Sequence, residues 1–462
     1  MPLKSAYELA CGRIIAPREI KNESQEPTFD FIDIPEFSNR ADKVIESTGD
    51  SESIAKKREE KKMNPNPIKI AQPESIHYDQ PAMEVCWAGH FQGYHGFDRM
   101  NRMFVFGLAN KGVSVNIEVE PYISHINKAT QEQLDILSSV EISPTAPKVF
   151  GMTLPMRLNH AGRKIAYTMI ETSERVHPDY AGKLNLCNEI WTPTRFGEKI
   201  LRKSGVNPPI YIMPLGVDAN RYVPGLMSLN VGELKDFRFL SVFRWSPRKA
   251  PDVLLRSYLE EFNSNDNVTM LIVSRIVETA EELSAQKIIE EFNGIKAGIN
   301  KKEEDLPHVA LYVNPIPEKD MPNLYNSADA FVLISRGEGM GLPYLEAGSC
   351  EIPVIASNCS GQTDFLNNDN SFLVEPDGYI EAKVNGNLSR MAKQCRFYEN
   401  QMFPDFGQKA IDSIKQHMRF VFENREKAKE KAKQLRKDIL KNFTWDIAID
   451  KVYNRLREIE GQ

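Results

Sequence analysis

From residue 84 onward, short apolar runs alternate with amphipathic stretches, and this alternation restricts the fold more than any other feature of the chain. An apolar run of strand length needs cover on both faces, which a parallel sheet with crossover helices supplies. One series runs "MEVCWAG", "DRMNRMFVFGLANKG", "VSVNIEV", "KIAYTMI", "EIWTPT", "IYIMPLG". A second runs "FRFLSVF", "APDVLLRSYLEEF", "VTMLIVSR", "HVALYVN", "MPNLYNSA", "AFVLIS", "LPYLEAGSC", "PVIAS", "SFLVEP". The expected fold class is α/β, with two successive Rossmann-like domains over 79–215 and 216–443. Residues 1–78 differ: they are polar, charge-rich and punctuated by proline, too poor in hydrophobes to offset the entropy of ordering. They are expected to form a largely disordered extension, of which only the opening "PLKSAYELACGRII" is apolar enough to dock on the body.

Composition narrows the partners. A net charge of −6 and a pI near 5.9 provide no global basic field, so nucleic acid is not an expected partner. The 6 cysteines include no C-x-x-C pair, which argues against a disulfide framework or zinc site and for a reducing, cytoplasmic setting. No leader pattern opens the sequence and no run of about 18 apolar residues interrupts it, so neither export nor membrane spanning is expected. The basic stretch "RFGEKILRKSG" leaves peripheral membrane contact open, although a solvated helix face is the better reading of it.

The chemistry concentrates in "SRGEGMGLPYLEAGSCEIPVIAS", residues 335–357, where Glu338 and Glu346 stand with seven residues between them across a glycine-rich turn. A buried strand, then "RGEGMG", then a helix opened by Pro343 is a turn that presents backbone amides to an anion at the carboxyl end of a parallel strand. Carboxylates there accept paired hydrogen bonds from the vicinal hydroxyls of a ribose or a hexose. Glu346 lies between Leu345 and Ala347, where an unpaired carboxylate is costly. Arg244 and Lys249 follow the strand "FRFLSVF" and suit a diphosphate that gains charge as a glycosyl bond breaks; Arg248 beside them is not assigned to that clamp.

Taken together, these residues resemble retaining glycosyltransferases of family 4, whose two Rossmann domains form the arrangement called GT-B. The resemblance covers about residues 84–455 and rests on the Glu338/Glu346 spacing, "PLGVD" at Pro214–Asp218, the "SVFRWSPRKAPDVLLRSY" segment and the closing "FTWDIAIDKVYNRL". It implies transfer of a hexosyl group from a UDP- or GDP-sugar to a hydroxyl of a glycan or glycolipid, without a metal or other cofactor. Catalytic roles fall to Glu338, Arg244, Lys249 and Glu171. Donor binding falls to Glu346, Gly337, Gly339, Met340, Gly341 and Leu342, to Asn314, Pro315 and Ile316 beside the base, and to Gly93, Gly96 and Gly216. The resemblance also implies that the final helix, 444–462, crosses back to the first domain.

Two departures stand out. The loop "GHFQGYHGFDR" does not match G-x-G-x-x-G, and carries Tyr94 and His95 where relatives are smaller. At the end of "KIAYTMIETSERVHP" stand Glu171 and Thr172 in place of the histidine several relatives place at the reaction centre, so Glu171 is assigned to orient the acceptor or share its proton. His90 and His95 are the other acid–base candidates, and Asp364 is expected to position the sugar or the loop. No D-x-D triplet or paired-histidine spacing supports a metal. An epimerase or hydrolase on the same fold, and an inactive binding protein that has lost turnover, are the rival readings.

Overall fold

The computed structural model describes residues 14–15, 83–93, 96–120, 126, 128–152, 158–275, 281–313 and 316–461. The expected disordered extension lies outside these residues except for Ile14–Ile15, strand β1. The first unit then runs β2 (Glu84–Gly89), α1 (Gly96–Asn110), β3 (Ser114–Val119), α2 (Lys128–Ser138), β4 (Lys148–Gly151), β5 (Lys164–Tyr167), α3 (Pro178–Leu184), β6 (Glu189–Thr192), α4 (Arg195–Lys203) and β7 (Ile210–Ile212). Its strands form one parallel sheet in the order β3-β2-β4-β5-β6-β7. From Val85 to Gly89 every residue of β2 is buried, which is why this strand reads as a continuous apolar run rather than an alternating one.

The second unit runs β8 (Phe237–Arg244), α5 (Pro251–Glu261), β9 (Val268–Arg275), α6 (Glu281–Ala297), β10 (His308–Tyr312), α7 (Met321–Tyr325), β11 (Ala330–Leu333), α8 (Leu342–Ser349), β12 (Val354–Ser357) and β13 (Phe372–Val374). These strands form a parallel sheet in the order β1-β10-β9-β8-β11-β12-β13, with Ile14 and Ile15 paired to Leu311 and Tyr312 at the edge. A short antiparallel pair, β14 (Gly378–Glu381) and β15 (Met402–Asp405), brackets α9 (Ser389–Gln394) and stands apart from both sheets. Three helices follow: α10 (Gln408–Glu423), α11 (Arg425–Asn442) and α12 (Trp445–Glu460).

Helix α12 leaves the second unit and packs on α1 of the first. Thr444 caps it, accepting a hydrogen bond from the Ile447 amide, and pairs with Val217 in an isolated parallel bridge. The ring of Trp445 meets Phe104 edge-on at 5.7 Å, and Ile449 covers Gly107 so closely that an added Cβ would stand 2.3 Å from its Cδ1. The polar anchor is Glu189, whose side chain is fully buried. It accepts from Arg455 at 2.6 Å, Arg163 at 3.0 Å and the Trp191 indole at 2.7 Å, and Arg455 also stacks over Tyr211.

Replacing Glu189 with alanine therefore removes the buried acceptor of the Trp191 indole and of Arg455, which keeps its pairing with the exposed Glu458. The expected loss is about 3–5 kcal/mol, the usual cost of removing one partner of a buried ion pair. Urea unfolding monitored by tryptophan fluorescence reads this as a lower midpoint; an unchanged midpoint refutes the anchoring role.

Candidate active site

The glycine turn between β11 and α8 lies directly against the first unit. Gly341 has a φ of +91°, in the left-handed region glycine adopts without strain, and Pro343 follows in the first turn of α8. At Gly337 a Cβ would stand 2.0 Å from the backbone oxygen of Glu171, and at Gly339 one would stand 2.6 Å from Cβ of Met169. Met169 and Glu171 follow β5 of the first unit, so these two glycines are required by close approach across the seam. The turn is further tied to the first unit by Thr194 Oγ1, which donates to the Gly339 oxygen at 3.3 Å, and by the Leu215 amide, which donates to the sulfur of the buried Met340 at 3.1 Å. Leu342 packs against the core at the start of α8.

Charge converges on this turn from both sides. Lys249 Nζ donates to Oε1 of Glu338, and both residues are buried. Arg248 lies 3.0 Å from Oε1 of Glu171 and 3.9 Å from Oε2 of Glu338, and also donates to the Gly337 oxygen. Glu171 receives a second hydrogen bond, on Oε2, from the hydroxyl of Tyr398. Burial by itself raises the Glu338 carboxyl, but the ammonium of Lys249 and the guanidinium of Arg248 outweigh it and hold the group below its ordinary value. For Lys249, burial dominates and lowers the ammonium despite its carboxylate partner.

Glu346 sits in a separate charged knot. Tyr325 donates to its Oε2 at 2.6 Å, and Arg99 from α1 pairs with its Oε1. Arg99 also lies 3.7 Å from Glu318 and over the ring of Tyr222. Both carboxylate oxygens are thus engaged by protein, one of them across the seam.

The structure brings Lys249, Glu338, Glu171, Gly337 and Gly339 into one cluster and Glu346 into an adjoining one. Arg244 ends β8 half-buried, in register with Arg275. Gly93 is committed locally, its amide donating to Asp98 at 2.7 Å, while Gly96 opens α1 with no neighbour within contact of an added Cβ. Gly216 packs on the backbone of Thr444 and Trp445, where an added Cβ would approach to 2.3 Å, so its role here is to seat the returning helix. Ile316 is half-buried against the core; Asn314, Pro315, Tyr94 and His95 lie outside the described residues. The Asp364 carboxylate accepts from the Arg195 and Phe196 amides at 2.7 and 3.3 Å, binding the start of α4 to the second unit. His90 contributes its backbone oxygen to Asn101 at 2.8 Å.

Sequence reasoning missed Arg248, Arg99 and Tyr398. Arg248 adjoins Lys249 in "SPRKA", which was a usable signal; Arg99 sits in an ordinary amphipathic helix and Tyr398 in a stretch with no motif. Among the described residues, no group of three or more histidine, cysteine or acidic side chains is arranged to hold a metal ion, and no helix is long and apolar enough to cross a membrane. A groove on the outer helices over Asn367, Phe420, Lys431 and Asp438 shares no residue with this cluster.

Residues 235–386 match the family of glycosyl transferases group 1. The chain is 30% identical over 224 residues to the Escherichia coli UDP-Gal:alpha-D-GlcNAc-diphosphoundecaprenol alpha-1,3-galactosyltransferase, covering 45% of this chain and 53% of that enzyme. It is 28% identical over 156 residues to the D-inositol 3-phosphate glycosyltransferase of Actinosynnema mirum, covering 33% of this chain and 36% of the relative. The matches thus span about half or less of these relatives' lengths. Among solved structures, the sucrose-phosphate synthase of Thermosynechococcus elongatus superposes with a TM-score of 0.57 at 13% identity, over 82% of this chain and 99% of that one. The Anabaena HepE protein in complex with UDP and glucose gives 0.56 at 12% identity, over 81% and 100%. At this identity the likeness concerns the fold alone, which is the GT-B arrangement of two facing Rossmann-like units.

The Lys249–Glu338 pair makes a test of the site's electrostatics. Glu338→Gln removes the counterion of a buried ammonium and is expected to cost about 3 kcal/mol near neutral pH. Because the folded-state value of Lys249 lies below the unfolded one near 10.5, the unfolded chain binds more protons between the two. The variant should therefore regain stability on the alkaline side, as the ammonium loses its proton in the fold. Wild-type Glu338 contributes the opposite limb: its value is depressed, so its stabilisation is present above the ordinary carboxyl range and lost as pH falls through the folded-state value. Urea midpoints at pH 7 and pH 9.5 decide the matter, and a variant no less stable than wild type at pH 7 removes the pair from the account.

Proposed function

We propose that this chain transfers a hexosyl group from a nucleoside diphosphate sugar, with UDP or GDP as the nucleotide, to a hydroxyl of a glycan or lipid-linked acceptor with retention at the anomeric carbon. The observation that carries the reading is the convergence of two basic side chains, Lys249 and Arg248, with Glu338 on the glycine turn, directly beneath Glu171 of the opposite unit. The family match over 235–386 supports it by covering this whole half of the site.

An ammonium offers three donors and a guanidinium five, so both cations can keep Glu338 as a partner and still bind phosphate oxygens. Charge develops on the leaving diphosphate as the glycosyl bond breaks, and fixed cations in a buried site stabilise it without reorganising at that moment. Lys249 and Arg248 serve this purpose, with Arg244 at the end of β8 adding to the positive field. Glu338 orients Lys249 and faces the donor sugar. Glu346 accepts from ribose hydroxyls once Arg99 yields its oxygen, so donor entry loosens one bond across the seam. Glu171 orients the acceptor hydroxyl. No side chain is assigned as nucleophile: the departing phosphate oxygen takes the proton of the incoming hydroxyl on the same face, while the protein positions the reactants. The reading assigns leaving-group charge to these side chains and uses neither a metal nor another cofactor. A lipid-linked acceptor accords with the activity of the Escherichia coli relative, and would involve contact at a membrane surface.

A panel of UDP- and GDP-sugars, with release of nucleoside diphosphate measured with and without hydroxyl acceptors, tests the activity; product analysis separates transfer from hydrolysis and epimerisation. Turnover is expected to survive exhaustive chelation, and a rate abolished by chelator and restored by manganese contradicts the cation assignment. Replacing Arg248 and Lys249 together with alanine should weaken UDP or GDP binding by about tenfold or more, because charge-assisted hydrogen bonds are worth about 1.5–3 kcal/mol each. The corresponding nucleoside should bind almost as before. Calorimetry on both ligands checks this, and equal losses for nucleotide and nucleoside show that the pair does not hold the diphosphate.

A further inference from the structure

The segment Gly378–Asp405 breaks the βαβ order of the second unit. Its antiparallel pair β14–β15 and helix α9 enclose a small core of their own, Ala382, Met391, Ala392 and Phe403. One side is fastened to the second unit, where Arg390 pairs with Glu291 of α6. The other side rests on the first unit, along the segment that follows β5. The Ser173 amide donates to the Met402 oxygen at 2.9 Å, Arg396 pairs with Asp179 at 2.7 Å, and the ring of Phe397 meets Tyr180 and His177 edge-on at 5.4 and 5.7 Å. The segment is a strap joining the two units beside the charged cluster, and the side chain it directs to that cluster is Tyr398.

Tyr398 donates its hydroxyl to Oε2 of Glu171, whose Oε1 faces Arg248. Burial and the adjacent carboxylate hold the phenol well above its ordinary value, so it remains a donor at any working pH. Without that hydrogen bond both oxygens of Glu171 would be free to engage Arg248 as a bidentate pair, the strongest geometry a guanidinium and a carboxylate can form.

We propose that Tyr398 is a positioning residue that acts through Glu171: by occupying one carboxylate oxygen it limits the hold of Glu171 on Arg248 and keeps guanidinium donors available to the donor diphosphate. The inference rests on the transferase reading above. It adds a second element to the site, a strap that contacts both units beside the phosphate clamp. Tyr398 itself touches neither donor nor acceptor in this scheme.

The test uses the full chain, with UDP and uridine as probes, or GDP and guanosine if the wild-type protein prefers that base. Tyr398→Phe should weaken nucleotide binding about threefold to tenfold, as expected for a partial loss of one charge-assisted contact, while nucleoside binding changes by less than about twofold. Adding Glu171→Gln should restore nucleotide affinity in the Tyr398→Phe background, because a neutral amide does not compete for Arg248. A tyrosine that merely supports the fold would lower both affinities and the melting temperature together, and the second substitution would not rescue them. Unchanged nucleotide affinity in Tyr398→Phe, equal losses for nucleotide and nucleoside, or failure of the rescue each overturns the proposal. A wild-type chain that binds the nucleotide but transfers no sugar refutes the activity, while the affinity series still decides the role of Tyr398; one that binds neither UDP nor GDP refutes both.

Discussion

A carboxylate removed from water must find a cation, and in this protein that requirement joins the two halves of the chain. An unpaired buried carboxylate costs several kcal/mol, more than any single apolar contact returns. Glu189 in the first sheet finds Arg455 on the returning C-terminal helix, Glu346 in the second unit finds Arg99 in the first, and Glu171 in the first finds Arg248 in the second. Glu338 pairs with Lys249 within its own unit, and Arg248 couples that pair to the seam. Apolar burial builds each unit, but these pairings set how the units face one another. The glycines at 337 and 339 make the approach sterically possible, since any side chain there would meet Glu171 or Met169.

On the proposed transferase reading, the same pairings shape how a ligand enters. The cluster at the turn is nearly neutral as it stands, with Arg248 and Lys249 set against Glu171 and Glu338. A diphosphate adds negative charge, so its binding is favoured to the extent that the carboxylates share their cations rather than monopolise them. This is why hydrogen bonds to the carboxylates matter as much as the cations do. Tyr325 on Glu346 and Tyr398 on Glu171 each satisfy an oxygen that would otherwise draw harder on an arginine. On the proposed transferase reading, the affinity of this cluster for phosphate is set by a balance of internal partners.

Much of the architecture was readable in the order of the residues. Strands such as Glu84–Gly89 and Ala330–Leu333 are buried on both faces, so their apolar runs are continuous and distinctive, and the helices between them carry one apolar stripe. The glycine turn was equally legible, because positive φ and close backbone approach demand glycine at fixed places along a short stretch. The strap at 378–405 was not: its strands are four residues each, its core holds only a handful of side chains, and neither leaves a periodic trace. The bonds from Asp364 to the start of α4 were hidden for a related reason, since a carboxylate capping a helix that begins at Arg195 has no local signature.

Sequence alone determined what is local: which segments are strands and helices, that there are two sheets of parallel strands, where the glycine turn falls, and that two glutamates and a basic pair accompany it. These follow from burial periodicity and from the backbone freedom of single residues, both of which act over a few positions. Tertiary structure decided the partners. That Arg248 rather than Arg244 lies between Glu171 and Glu338, that Arg99 holds Glu346, and that Tyr398 reaches Glu171 from 227 residues away are consequences of how the two units and the strap close on each other. Coulomb attraction and hydrogen bonding act through space, over distances that chain separation does not encode, and so the pairing of charges could be read only once the fold had placed them.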